Sequence, residues 1–161
     1  MMRTFSQLRA DQRGASVIEL ALVAPIFGTL LVGMVDISRA YDMKLRLEHA
    51  AQRAMEKVQQ TQSANNYTNV STEATAAATA AGYTGSTVDV SYKLECNGTA
   101  SSSNTTGNAI NATCSSGQTY SRYVTVTITN TYMPMFTLRF FPTSNANGSV
   151  TVSGYAGLRV Q

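Results

Sequence analysis

Read for its pattern of apolar and polar positions, the chain changes character four times. From Ala15 to Val35 there are 21 residues with one charge, Glu19, and from Leu20 to Val35 there is none. At about 1.5 Å per residue that run makes a helix of about 31 Å, close to the ~30 Å hydrocarbon core of a bilayer. From Asp36 to Gln62 the chain has no proline or glycine. There Ala40, Leu47, Ala51, Ala54, Met55 and Val58 recur at spacings of three, four and seven, an apolar stripe on an otherwise charged helix. Such a stripe predicts packing on the chain's own domain, with an intermolecular coiled coil as the alternative. A rod from Ala15 to about Gln60 would be roughly 69 Å long.

After Gln62 the composition turns to Asn, Ser and Thr, and Ser63 to Val70 reads as a loop. Ser71 to Ala81 is alanine-rich and predicts a short second helix, with Ser71 or Thr72 as its cap, Glu73 in its first turn and Gly82 at its stop. The period then becomes two. Val88, Val90, Tyr92 and Leu94 alternate with polar residues up to Cys96, and Val124, Val126 and Ile128 alternate with threonines between Tyr120 and Tyr132. Asn97 to Gln118 reads as one long polar loop. Tyr132 to Phe141 is an apolar stretch broken by Pro134: a strand edge, a loop under the sheet, or a contact surface. Asn147-Gly148 is a hairpin turn signal, and Val150 to Val160 reads as a last strand. The expected fold is α+β: a long N-terminal helix whose outer half packs on an antiparallel sheet of three or four strands.

Charge adds topology. The chain has 161 residues and a net charge of +3, but Arg3, Arg9 and Arg13 against Asp11 put +2 before Ala15. The other 147 residues hold nine basic and eight acidic groups and are close to neutral. Three arginines ahead of the apolar helix favour an inside N-terminus, with the bulk of the chain outside the cytoplasm. A cleaved secretory signal peptide is the rival, but its apolar core is usually 7–15 residues. No basic stripe with interleaved aromatics points to nucleic acid. Cys96 and Cys114, outside the cytoplasm, read as a disulfide across 17 residues, free thiols being the alternative and metal binding a weaker one.

Glu19 is the odd residue. A carboxylate inside an apolar segment costs roughly 2.5–3.5 kcal/mol on insertion scales. Either it sits at the interface and snorkels, or it has a partner. Cleavage after Gly14 would create an α-ammonium on Ala15 and leave Glu19 at the fifth position of the new chain. In a bundle of identical helices that acid could neutralise a neighbour's amine and fix the axial register. Pro25, inside the helix, removes one backbone hydrogen bond and predicts a kink. Gly28 and Gly33 permit close approach of helices in lipid.

The sequence Gly14-Ala15-Ser16-Val17-Ile18-Glu19 after a basic leader resembles the processing site of type IV pilin-like proteins. The run Glu19-Leu20-Ala21-Leu22-Val23-Ala24-Pro25 is most similar to TadE-like minor pilins, or pseudopilins, of bacterial tight-adherence systems. The resemblance covers about residues 13 to 40. It implies a pilin-like fold and cleavage between Gly14 and Ala15 by a prepilin peptidase. It further implies other pilin subunits and the pilus assembly platform as partners, an inner-membrane location, and a role in assembling pili for surface attachment. The organisation expected is a leader at 1–14, a membrane helix at 15–35, its amphipathic continuation at 36–62 and an extracytoplasmic α+β domain at 63–161. The competing reading is an uncleaved single-pass protein whose outer domain is an adhesin or sensor.

No catalytic constellation, phosphate loop, zinc spacing or calcium loop is present. No cofactor, metal or small-molecule substrate is expected, nor enzyme activity. The one histidine, His49, is most simply a solvated helix residue. Six Asn-x-Ser/Thr triplets follow from composition.

Overall fold

The computed structural model describes residues 15–60, 69–101, 112–135 and 145–159. The expectations for the leader at 1–14, the loop at 61–68, the tip of the polar loop at 102–111 and the apolar stretch at 136–144 lie outside the described residues. The order of elements is α1 (Ala15–Gln60), α2 (Val70–Ala80), β1 (Thr87–Cys96), β2 (Thr99–Ala100), β3 (Tyr120–Tyr132) and β4 (Val150–Arg159). The architecture is α+β, a long N-terminal apolar helix with a small antiparallel sheet. The chain divides into two compact units between Arg39 and Ala40, and each is described by itself.

In the unit from Ala40 onward the sheet order is β2-β1-β3-β4, antiparallel throughout. The register sets Val90 opposite Val126 and Val126 opposite Ala156, so one face is apolar across three strands. Val124, Val126 and Ile128 are buried while the threonines between them are only part-buried. Period-two alternation thus separates a core face from a hydroxyl-rich face, as the pattern predicts.

Both helices cover the core face. Met43, Leu47, Ala50, Ala51, Ala54 and Met55 of α1, and Val70, Ala74 and Ala78 of α2, join the buried strand residues in one cluster. The amphipathic stripe therefore packs on its own domain. Met43 and Ala50 belong to it as well, and the side chain of Val58 lies outside the described set. Burying Leu47 completely contributes on the order of 2–3 kcal/mol by apolar area alone.

Helix α2 runs one residue earlier than its sequence signature suggests. Its N-cap is Asn69, without a side-chain capping bond, in place of Ser71 or Thr72. The hydroxyls of Thr75 and Thr79 instead donate to the carbonyls four residues back, at 2.8 and 2.9 Å. Its end is as read. Gly82 at φ 92° lets Tyr83 N–H reach the Ala78 carbonyl and Gly82 N–H the Thr79 carbonyl, both at 3.0 Å, which is the Schellman arrangement.

One turn expectation needs correction. The stretch from Asn97 is not loop from its first residue. Asn97 (φ 51°) and Gly98 (φ 77°) make a two-residue turn that folds β2 back on β1, with Cys96 opposite Thr99. An Asn-Gly pair with both φ positive is the type I′ geometry that matches strand twist. Asn147-Gly148 sits in a three-residue turn ahead of β4, where Gly148 (φ 81°) N–H donates to the Asn145 carbonyl at 2.9 Å and Asn145 N–H to the Ser149 carbonyl at 2.8 Å; the residues before Asn145 lie outside the described set.

Helix and sheet meet at backbone distance. A methyl group built on Gly154 of β4 would lie 2.2 Å from the Leu47 carbonyl carbon and 2.3 Å from the Glu48 nitrogen. Neither neighbour is a side chain that can swing aside. Gly157 differs, since its nearest neighbour is the Tyr155 hydroxyl at 3.0 Å, the end of a movable side chain. Gly154→Ala is therefore expected to destabilise the unit from Ala40 onward by about 3 kcal/mol or more and Gly157→Ala by less than about 1 kcal/mol. Chemical denaturation of the full chain in detergent, followed by far-UV circular dichroism, checks the contrast.

Candidate functional site

The unit that ends at Arg39 is helical from Ala15, and no break in α1 occurs at Pro25. Pro25 has no N–H, so it withholds the bond that position would give the Ala21 carbonyl. Thr29, the only hydroxyl between Leu20 and Val35, donates to the Ile26 carbonyl at 2.8 Å. Its polarity is thus satisfied within the helix, a condition for any hydroxyl in lipid.

The large apolar side chains of this segment face outward. Leu20, Leu22, Phe27, Leu30 and Met34 are each at least 60% exposed. A water-facing surface of that composition would be untenable, whereas lipid or neighbouring helices would cover it. The helix is long and apolar enough to cross a membrane, which fits a single-pass membrane protein. A methyl on Gly28 or Gly33 would meet nothing within 4 Å, so the chain's own packing does not require glycine at either position.

Glu19 lies exposed in this segment and makes no ion pair with a described residue. Gly14, expected on the leader side of the cleavage point, lies outside the described residues. Ala15 is the first residue of α1.

The second set of expected residues lies at the far end of the sheet. Cys96 and Cys114 form a disulfide with their Cα atoms 5.7 Å apart. Asn97 and Thr119 close the base of the same loop. Asn97 N–H donates to the Thr119 carbonyl at 2.8 Å, and the Asn97 side-chain oxygen accepts from Thr119 N–H at 2.9 Å. Arg122 adds a tie that the sequence reading lacks, donating to the Ala112 carbonyl at 3.0 Å while stacking over the Tyr120 ring at 5.5 Å. A lone arginine between tyrosines at the start of a strand is its only sequence signal. Beyond β3, Met133 and Met135 are exposed around a buried Pro134, the described part of the expected apolar stretch.

On β1, the Lys93 ammonium reaches the Glu95 carboxylate at 2.7 Å. That hydrogen bond holds the Glu95 carboxyl below its ordinary value of 4.5 and raises Lys93. A lowered acid stabilises the fold above its unfolded-state value, and the contribution is lost as pH falls through the folded value. The raised lysine contributes up to its unfolded-state value and is lost as pH rises through the folded one. Both groups are solvent-screened, so the effect is small. Glu95→Gln should flatten the acid limb of the stability profile below about pH 4.5 and leave neutral pH nearly unchanged, as thermal melts across pH 2.5–7 would read.

Replacing both cysteines with serine should cost the outer domain about 3 kcal/mol for a loop of this size, with most of the loss coming from the unfolded state. The loop base keeps its Asn97 and Arg122 ties, so native far-UV dichroism should persist at low denaturant. Denaturant titration of the oxidised protein against the double variant measures the difference.

Residues 14–55 match the model of the TadE-like protein family, so the N-terminal segment of this chain is similar to that of TadE-like proteins. The match begins at Gly14 and runs through the apolar helix into the stripe that packs on the sheet. No curated protein and no solved structure gives a significant match.

Proposed function

We propose that this TadE-like chain is a minor pilin, or pseudopilin: a structural subunit needed to assemble tight-adherence pili for surface attachment. The TadE-like family is associated with Tad pilus systems. The observation that carries the finer reading is an exposed acid, Glu19, inside a membrane-length apolar helix, five residues after the glycine at which the family match begins.

In this reading a prepilin peptidase cuts between Gly14 and Ala15. The leader arginines hold the N-terminus inside, and the outer domain stands beyond the membrane. Cleavage removes the leader charge and creates an amine at the start of the helix. Glu19 of one subunit then pairs with the amine of the next, which offsets the cost of keeping either charge in an apolar setting. An acid at this depth without a cation nearby would oppose insertion, so the pairing also selects one axial register. Pro25 and the two glycines let the helices adjust to one another as they pack. The role is structural, and its partners are other pilin subunits and the assembly platform.

Mass spectrometry of protein extracted from membranes that contain the peptidase should find Ala15 at the N-terminus. An N-terminus at Met1 there overturns the reading. Glu19→Ala should still be cleaved but should reduce piliation at least tenfold by immunoelectron microscopy. Normal piliation in that variant would remove the pairing.

A further inference from the structure

Between α1 and α2 the packing leaves a trough. Alanine lines it on the α2 side, at Ala77 and Ala80, because side chains this small cannot fill the space between two helices. Two adjoining cavities of about 260 and 180 Å³ share Arg53, Ala77 and Ala80 in their walls. The α1 side carries Arg46, His49, Arg53 and Lys57, at spacings of three and four that put them along one rim. The two outer cations are already committed, Arg46 to Asp42 at 2.8 Å and Lys57 to Glu73 at 2.5 Å. Arg53 and His49, between them, are exposed and have no ionic partner among the described residues.

The sheet face turned away from the helices offers the complement. Beyond the apolar helix, most described carboxylates are accounted for. Asp42, Glu48, Glu73 and Glu95 are in ion pairs and Asp36 is buried. Glu56 and Asp89 are exposed and make no ion pair with a described residue. Glu56 lies on α1 itself, three residues from Arg53. Asp89 lies on β1, on the hydroxyl-rich face. The register places Asp89, Thr127 and Tyr155 in one row across three strands. Asp89 and Tyr155 are then about 10 Å apart at the usual strand spacing. Tyr155 is 59% exposed, an aromatic of the kind that anchors interfaces.

We propose that the alanine trough of one copy receives the Asp89–Tyr155 face of a second copy, with Asp89 on Arg53 and the tyrosine ring over the alanines. The deduction rests on reading the chain as an assembling subunit and names the contact that its outer domain makes. The two patches lie on opposite sides of the sheet, one in the helix layer and one on the hydroxyl-rich face, which no described helix covers. The contact is therefore heterologous, head to tail, and each copy keeps a free trough and a free acid. Repetition of such a contact yields a ring or an open stack rather than a closed pair. A single ion pair over a shallow apolar floor is a weak contact alone, and membrane anchoring raises the effective concentration at which copies meet.

The test uses two differently tagged full-length copies in one membrane, one with Ala80→Cys in the trough and one with Thr87→Cys beside Asp89. The native cysteines are bonded to each other and do not compete. A short bismaleimide should join the two tagged copies, and should join two Ala80→Cys copies or two Thr87→Cys copies at least tenfold less. Arg53→Glu in the first copy, or Asp89→Lys in the second, should cut the mixed adduct at least tenfold, and the two changes together should restore at least half of it. Restoration cannot come from misfolded variants. The proposal is overturned by a missing mixed adduct, by a dominant adduct between two Ala80→Cys copies (the symmetric arrangement through Glu56), by an adduct with a different protein only, or by indifference to both charge reversals. The N-terminus of the same samples separates the two readings: Ala15 there without the adduct leaves the pilin role standing and removes this contact, while the adduct with Met1 there does the reverse.

Discussion

The sheet domain depends on one close approach. Gly154 lies where the backbone of α1 crosses the sheet, and the space a methyl would need is taken by the Leu47 carbonyl group and the Glu48 nitrogen. Because the helix comes that near, Leu47 is fully buried and the alanines at 50, 51 and 54 are large enough to fill what is left. Bulkier side chains on the helix would hold it off, and the valines and isoleucine of β1 and β3 would lose their cover. Glycine in a strand interior costs conformational entropy and weakens the strand. Here the loss is offset by the packing that the absent side chain allows. The same economy of size recurs on α2, where Ala74 and Ala78 face the core.

Much of this was legible as period. The change from 3.6 to 2 marks where helix gives way to sheet, and the alternation in β3 orients its core face without further information. The close approach was not legible. In sequence, Gly154 and Gly157 are equivalent interruptions of a strand, and only the helix that crosses one of them tells them apart. The turns show a different limit. Two Asn-Gly pairs carry the same local preference for positive φ, and the two turns differ in length. The pair at 97–98 is a whole two-residue turn, because Leu94-Glu95-Cys96 and Thr99-Ala100 flank it without an intervening residue, whereas the pair at 147–148 ends a three-residue turn between Asn145 and Ser149. Composition around Asn97 hid the short strand, since threonine and alanine followed by serines read as loop. The disulfide was accessible from compartment and count, whereas the Arg122 tie to Ala112 depends on which loop the cysteines bring back beside β3.

The N-terminal segment poses a problem that a single chain does not solve. Its apolar side chains are exposed, and a methyl on either of its glycines would meet no described residue beyond its own helix turn. Thr29 shows how the helix treats polarity it can satisfy locally, through a bond to the carbonyl three residues back. Glu19 has no such recourse. A carboxylate accepts hydrogen bonds but donates none when ionised, and among the described residues no cation faces it. A counter-charge for Glu19 must come from outside the described helix, and lipid tails cannot supply one.

The ion pairs of the outer domain sharpen that contrast. Asp42 with Arg46, Lys44 with Glu48, Lys57 with Glu73 and Lys93 with Glu95 bind charge to charge within a few residues or across two neighbouring helices. Exposed pairs of this sort contribute little to stability. They do remove four acids and four bases from any role in recognition. In a chain that is close to neutral from Ala15 onward, the few charges left over then carry most of the electrostatic information that another molecule could read. Glu19 is one of these in the apolar helix, and Arg53 and Asp89 are two more on opposite sides of the sheet. Selectivity needs only that the wrong neighbour leave one of them unpaired, because the penalty for burying a lone charge exceeds the gain from any single exposed pair. A chain with few free charges, each set among small or apolar residues, is therefore more discriminating toward its neighbours than a heavily charged one would be, in which wrong pairings are as easy to find as right ones.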